Sequence, residues 1–273
     1  MPKRLSEEES VPLSKIGVFD SGIGGLSILN EALTQAPGHH YMYLADSANT
    51  PYGEKSIEWI SSRSLTLCSW LVQQGCEAIV IACNTATAQA IAQIRETFSK
   101  IAIIGVEPGI KPAALQSSKK IVGVLATQNT LASDKFKQLL ASLLADCEFI
   151  QQAGIGLVPL IEQGQLSGPS INALLHQYID PMIEQGVDTL VLGCTHYPFL
   201  EARIQQMYGE QLQIIDTSHA VVKQMCRLVN SAGSNLGSVH FYSTSNGQSL
   251  LKLAKSLLSP HQLDQAQAHT VDL

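Results

Sequence analysis

Two stretches of this chain repeat each other without a gap. Gln74-Gly75-Cys76-Glu77-Ala78-Ile79-Val80-Ile81-Ala82-Cys83 aligns with Gln185-Gly186-Val187-Asp188-Thr189-Leu190-Val191-Leu192-Gly193-Cys194, 111 positions later. Glutamine, glycine, an acid, an apolar run and a cysteine recur in register. A weaker echo pairs Ile16-Gly17-Val18-Phe19 with Val122-Gly123-Val124-Leu125. Solenoids are built from several short units, so two copies at this distance predict two related domains. Chance similarity of buried strands would explain the apolar residues but not two cysteines at one register.

Between these runs, short β-branched segments alternate with amphipathic stretches such as Ser56–Gln74 and Pro169–Gln185. Strands are expected at Lys15–Asp20, His40–Ala45, Ala78–Ala82, Ile101–Gly105, Ile121–Leu125, Cys147–Gln151, Thr189–Gly193, Gln213–Asp216 and Val239–Tyr242. Such alternation specifies parallel sheets with crossover helices, the α/β class. The expected architecture is two pseudo-symmetric α/β domains, each a mainly parallel sheet flanked by helices, with the active site in the cleft between them. The first domain is discontinuous, 15–106 plus 215–273, and the second is 107–214; residues 1–14, polar and acidic, are expected to be a flexible N-terminal segment.

Composition narrows the function. Of 273 residues, 45% are hydrophobic and 15% charged, enough apolar material for a sizeable core. Lys and Arg number 17 against 23 Asp and Glu, a formal charge of −6 with no long basic run, which argues against binding nucleic acid through its phosphates. Small anions can still be held by backbone amides and helix N-termini. No apolar run nears the ~18 residues of a membrane span, and MPKRLSEEES has no secretory hydrophobic stretch. These features lead to an expected cytoplasmic, membrane-free protein. Its six cysteines (68, 76, 83, 147, 194, 226) include no C-x-x-C pair and by default are buried free thiols.

Cys83 and Cys194 stand apart because each closes a strand just before a helix start, where open α/β sheets bind ligands. A helix N-terminus there is expected to lower the thiol pKa toward a reactive thiolate. Asn84, Thr85 and Thr195 beside them offer short polar groups and N–H donors for a carboxylate, though small residues also simply suit helix caps. The turn Asp20-Ser21-Gly22-Ile23-Gly24-Gly25 superficially resembles a dinucleotide fingerprint, with Asp46 at the spacing of a ribose contact. Ser27 at the third glycine position and a carboxylate aimed at the pyrophosphate count against it; a turn admitting a small amino acid, with Asp20 near its ammonium or a thiol, fits better. Asp46–Gly53 is a Pro/Gly-bearing loop on the same edge, by default an ordinary polar loop. Glu162 either orients His196 or is a solvated helix residue. Cys83, Cys194, His196 and Asp20 are chemically acceptable zinc ligands, but the spacing of structural zinc sites is missing. No lysine sits in a pyridoxal-binding context; Lys111, the best placed, adjoins Pro112.

These motifs together resemble the glutamate racemases of the cofactor-independent aspartate/glutamate racemase family. The resemblance is carried by GVFDSGIGGLSIL, DSANTPYGEKS, IACNTATA, GVEPGIKPA, GVLATQNTL and LVLGCTHYPFL, in order over most of residues 15–220; the segment beyond Asn230 carries no such motif. Gly109 departs from the alanine of many relatives. The resemblance implies an isomerase that needs no cofactor, with Cys83 and Cys194 catalytic and Asp20, His196 and Glu162 assisting proton transfer. It implies substrate contacts at Asp20, Ser21, Tyr52, Gly53, Asn84, Thr85, Thr195 and His196, and His196 two places after the second cysteine favours glutamate over aspartate. It further implies D-glutamate for bacterial peptidoglycan. The PYGEKS form is nearest Gram-negative enzymes, some activated by UDP-N-acetylmuramoyl-L-alanine, and a homodimer is left open. Rival readings are a racemase of aspartate or another small diacid, and a non-catalytic amino-acid-binding protein.

Overall fold

The computed structural model describes residues 14–143, 147–229, 236–258 and 261–273. The expected flexible segment therefore lies outside the described residues except for Ser14, which is buried and donates to Glu77 Oε2 at 3.2 Å.

The strands are β1 (Lys15–Asp20), β2 (His40–Ala45), β3 (Ala78–Ile81), β4 (Ala102–Gly105), β5 (Ile121–Ala126), β6 (Glu148–Ala153), β7 (Thr189–Gly193), β8 (Gln213–Ile215), β9 (Val239–Ser243) and β10 (Gln267–Thr270). They form two sheets, ordered β10-β9-β2-β1-β3-β4 and β6-β5-β7-β8, and every pairing is parallel. The α/β expectation holds, with strand ends moved by at most two residues. The first four strands (2-1-3-4) and the next four (6-5-7-8) share one topology, so the internal repeat is a duplicated lobe. β9 and β10 extend the first lobe only. Sequence reading missed β10 because Gln267-Ala268-His269-Thr270 is a half-exposed edge strand without apolar alternation.

Each conserved feature of the repeat does the same local job twice. Gly75 and Gly186 follow helices Ile57–Gln73 and Pro169–Glu184 with φ of +84° and +91°, the left-handed ending that glycine adopts without Cβ strain. Glu77 accepts from Ser14, just before β1; Asp188 accepts from Ser117 Oγ (2.6 Å), Ser118 Oγ (2.8 Å) and Lys119 N (2.7 Å), just before β5. The acids thus pin the entry to the central strand of each lobe. In that strand Gly17 and Gly123 let a helix of the same lobe sit close: a Cβ there would lie 2.9 Å from Leu71 and 2.8 Å from Met182. Runs such as Ala78–Ile81 and Thr189–Gly193 are wholly buried, as parallel strands covered on both faces must be.

Candidate functional site

Cys83 follows β3 and caps helix Asn84–Thr97, its Sγ accepting from Ala86 N at 3.5 Å. The thiol donates to Ser21 Oγ at 3.6 Å and is 4% exposed. The helix cap is present, yet the expected fall in pKa does not occur. Burial and the neighbouring Asp20 charge outweigh the Ala86 and Ser21 hydrogen bonds and push the Cys83 thiol up to about 12. Cys194 follows β7 in the second lobe, but what comes next is a 3₁₀ turn, Tyr197–Leu200, before helix Glu201–Tyr208 begins. The turn folds His196 inward until it is 2% exposed, with Nδ1 3.8 Å from Cys194 Sγ.

Asp20 neighbours Cys83, Glu162 reaches the Cys194 side through His196, and each carboxyl is held by the opposite lobe. Asp20, at the end of β1, is fully buried and accepts from Gly22 N at 2.8 Å and, across the lobes, from Thr195 Oγ1 at 3.0 Å. Burial pushes its carboxyl above the usual range, against the pull of His196 and of these donors. Glu162, closing helix Leu157–Glu162, binds His196 Nε2 at 2.5 Å and accepts from first-lobe Ile23 N at 2.8 Å. Burial alone would strip the proton from His196; Cys194 and Glu162 overcome it and hold the imidazole protonated well above its ordinary pKa. Of its two readings, Glu162 therefore takes the orienting one.

The glycine turn also serves the packing of the two lobes. A Cβ on Gly22 would overlap Glu162 Oε1, and one on Gly24 would come within 2.7 Å of Thr195 Oγ1. The bare turn makes room for second-lobe side chains of the protein itself.

Both thiols line one small cleft, together with Ser21, Tyr52, Gly53, Asn84, Thr85, Thr195 and His196. A larger groove beside Arg95 and Lys111 contains neither thiol. Asn84 Nδ2 is buried without a protein acceptor, a donor aimed at something the fold does not supply. Thr85 Oγ1 is 2.9 Å from Thr127 Oγ1 of the second lobe. Tyr52 contributes only its ring and backbone, because its hydroxyl donates to Asp46 Oδ2 at 2.6 Å. Asp46 is no ordinary loop residue. It is fully buried, takes a two-pronged ion pair from Arg63 (2.7 and 2.8 Å), and also accepts from Asn49 and Thr244. Burial disfavours its charge, but these donors hold its pKa below the usual carboxylate range.

Sequence reading missed Thr127, Val158 and Asn129. Thr127 could have been found, since the weaker repeat pairs it with Ser21. Val158 lines the cleft and carries no sequence signal, whereas Asn129, inside the GVLATQNTL motif, ties the lobes by donating to the carbonyls of Tyr52 (3.3 Å) and Lys55 (2.9 Å). Among the described residues no group of three or more His, Cys, Asp or Glu is arranged to hold a metal ion, and no helix is long and apolar enough to cross a membrane. Of the remaining cysteines, 68, 76 and 147 are buried and Cys226 is exposed, against the expectation of six buried thiols.

Residues 21–225 match the sequence model of the Asp/Glu/Hydantoin racemase family. A glutamate racemase from Ralstonia pickettii is 53% identical over 218 residues, 80% of this chain and 77% of that one. The crystal structure of glutamate racemase isoform RacE1 from Bacillus anthracis superposes with a TM-score of 0.82 at 29% identity, covering 95% of this chain and 98% of that one. Escherichia coli glutamate racemase, in complex with L-glutamate and the activator UDP-MurNAc-ala, superposes with a TM-score of 0.82 at 27% identity, covering 96% and 99%. With a family match over most of its length and relatives that share both its sequence and its fold, the chain belongs to the Asp/Glu/Hydantoin racemase family of isomerases.

Proposed function

We propose that this protein interconverts L- and D-glutamate by proton transfer at Cα between Cys83 and Cys194, without a cofactor, and so supplies D-glutamate for peptidoglycan. The observation that carries the reading is the placement of two thiols at the ends of equivalent strands, β3 and β7, facing one cleft. Two further circumstances support glutamate: the names of the relatives, and the Escherichia coli relative's complex with L-glutamate. That relative's activator makes UDP-N-acetylmuramoyl-L-alanine the effector to test. The two domains are read as 15–106 plus 215–273 and 107–214.

Racemisation removes a weakly acidic proton from one face of Cα and returns one to the other. One thiolate and one thiol do this in a single passage. The thiolate takes the Cα proton, the opposite thiol delivers its own, and the pair is left poised for the reverse direction. As the proton leaves, negative charge moves onto the substrate α-carboxylate, where Asn84 Nδ2 and the Thr85 and Thr195 hydroxyls are suited to receive it. On the Cys194 side, protonated His196 donates through Nε2 to Glu162 and directs Nδ1–H toward Sγ. On the other side, Asp20 lies against Cys83 and raises its proton affinity.

Initial rates in heavy water test the two-base step. Newly formed enantiomer should carry deuterium from the first turnover, while recovered starting enantiomer stays unlabelled. Cys83→Ala and Cys194→Ala should each abolish racemisation with the fold intact. Substantial unlabelled product at early times refutes the reading, and turnover of L-aspartate in place of L-glutamate would assign the other diacid.

A further inference from the structure

Tyr43 lies in β2 directly beneath the glycine turn, wholly buried, and nothing above gives it a task. Its ring packs on Phe241 (centroids 5.9 Å apart), and its hydroxyl donates to the Gly22 carbonyl at 2.8 Å. That carbonyl shares one planar trans peptide unit with the Ile23 N–H, and the two groups point from opposite edges of it. The Ile23 N–H is the first-lobe donor that binds Glu162 Oε1 at 2.8 Å. Gly22 also sends its own N–H to Asp20 Oδ1 at 2.8 Å. The adjacent backbone N–H groups of Gly22 and Ile23 therefore touch both acids, and the Tyr43 phenol is the side chain that fixes the carbonyl between them. Gly25 leaves room for it, since a Cβ there would stand 3.1 Å from the phenol oxygen.

We infer that Tyr43 is a positioning residue for proton transfer: by holding the Gly22–Ile23 peptide it keeps the Ile23 N–H on Glu162, and Glu162 in turn keeps His196 oriented toward Cys194. This rests on the two-thiol reading of the cleft. The phenol cannot act as an acid or base itself, because burial and the charges of Asp20, Glu162 and Cys83 hold its proton far above the ordinary tyrosine range. Its contribution is rotational. Without the hydroxyl the Gly22 carbonyl loses its buried partner, the peptide is free to turn, and Glu162 loses one of its two donors. The groups that face His196 are Glu162, Cys194 at the end of β7 and Asp20 at the end of β1, so weakening Glu162 leaves the imidazolium less well held.

Tyr43→Phe tests this, since it removes one oxygen and keeps the packing on Phe241. Loss of a buried hydrogen bond corresponds to about a five- to ten-fold effect, so kcat for glutamate should fall by that factor while KM changes less than two-fold. The His196 imidazole, titrated by 15N NMR in ligand-free protein, should lose its proton at least half a unit lower in pH than in wild type. In a double-mutant cycle with Glu162→Gln, the effect of Tyr43→Phe on kcat should largely disappear, as expected for residues acting in series. An unmoved His196 titration, or an effect of Tyr43→Phe that persists undiminished in the Glu162→Gln background, overturns the inference. The NMR titration is independent of turnover. A wild-type protein inactive on glutamate would reject the racemase reading, while the titration still decides whether Tyr43 governs His196.

Discussion

Replacing Asp46 by Asn probes the junction between core and cleft. The carboxylate is fully buried and receives five hydrogen bonds: two from Arg63 at 2.7 and 2.8 Å, and one each from Tyr52 (2.6 Å), Asn49 (3.0 Å) and Thr244 (2.8 Å). The amide keeps the shape but removes the charge, so the Arg63 guanidinium loses the carboxylate it is paired with. Breaking a buried ion pair from one side costs about 3–5 kcal/mol. Arg63 is 13% exposed and keeps a bond to the Leu273 carbonyl at 2.5 Å, so the lower end applies, about 3 kcal/mol. At ~2–4 °C per kcal/mol for a chain of this size, Tm should fall by roughly 6–12 °C. The pH dependence has a definite sign. The folded-state pKa of Asp46 is depressed, so its contribution is fully present above the unfolded value near 4 and is lost as pH falls through the folded value. Urea unfolding of wild type and Asp46→Asn should thus give curves separated by a constant amount from pH 8 to pH 5 that converge on further acidification. The substrate KM should also rise, because Tyr52 loses the acceptor that seats its loop in the cleft. A stability gap below 1 kcal/mol at pH 7, or one that widens toward acid, would refute the reasoning.

Two further outcomes follow from the same geometry. A thiol raised from 9 to about 12 carries roughly a thousandth of the ordinary thiolate fraction at pH 8. Iodoacetamide should therefore label exposed Cys226 well ahead of Cys83 in ligand-free protein, with Cys83 labelling accelerating up to pH 11, as read by peptide mass spectrometry; equal rates at pH 8 would contradict the burial argument. Gly24→Ala would thrust a Cβ against His196 and to 2.7 Å from Thr195 Oγ1, so the second lobe must shift. Overpacking of this kind costs about 1–3 kcal/mol in unfolding free energy, whereas kcat should drop at least a hundred-fold because His196 and Thr195 are displaced; a variant with wild-type kcat would show that the turn does not set their position.

The local grammar of the chain was legible without coordinates. Apolar runs of four to six residues separated by amphipathic stretches specify parallel strands and crossover helices, because burial on both faces leaves no room for alternation. The repeat announced the duplicated lobe, and it located Cys83 and Cys194 at equivalent strand ends. What the sequence left open depends on which groups meet across the lobes. Asp20 and Thr195 are 175 positions apart, and Ile23 and Glu162 139 apart, so no local pattern links them. The glycines of the first turn also make room for Glu162, Thr195 and His196, which no local pattern shows. The ionisation of Cys83 could not be read from its helix cap either, since desolvation and the charge of Asp20 depend on everything packed around it. Composition and period determined the lobes and named the two thiols; only the closing of one lobe on the other decided that Asp20 meets Thr195 and Glu162 meets Ile23, because hydrogen bonds and burial are properties of neighbours in space.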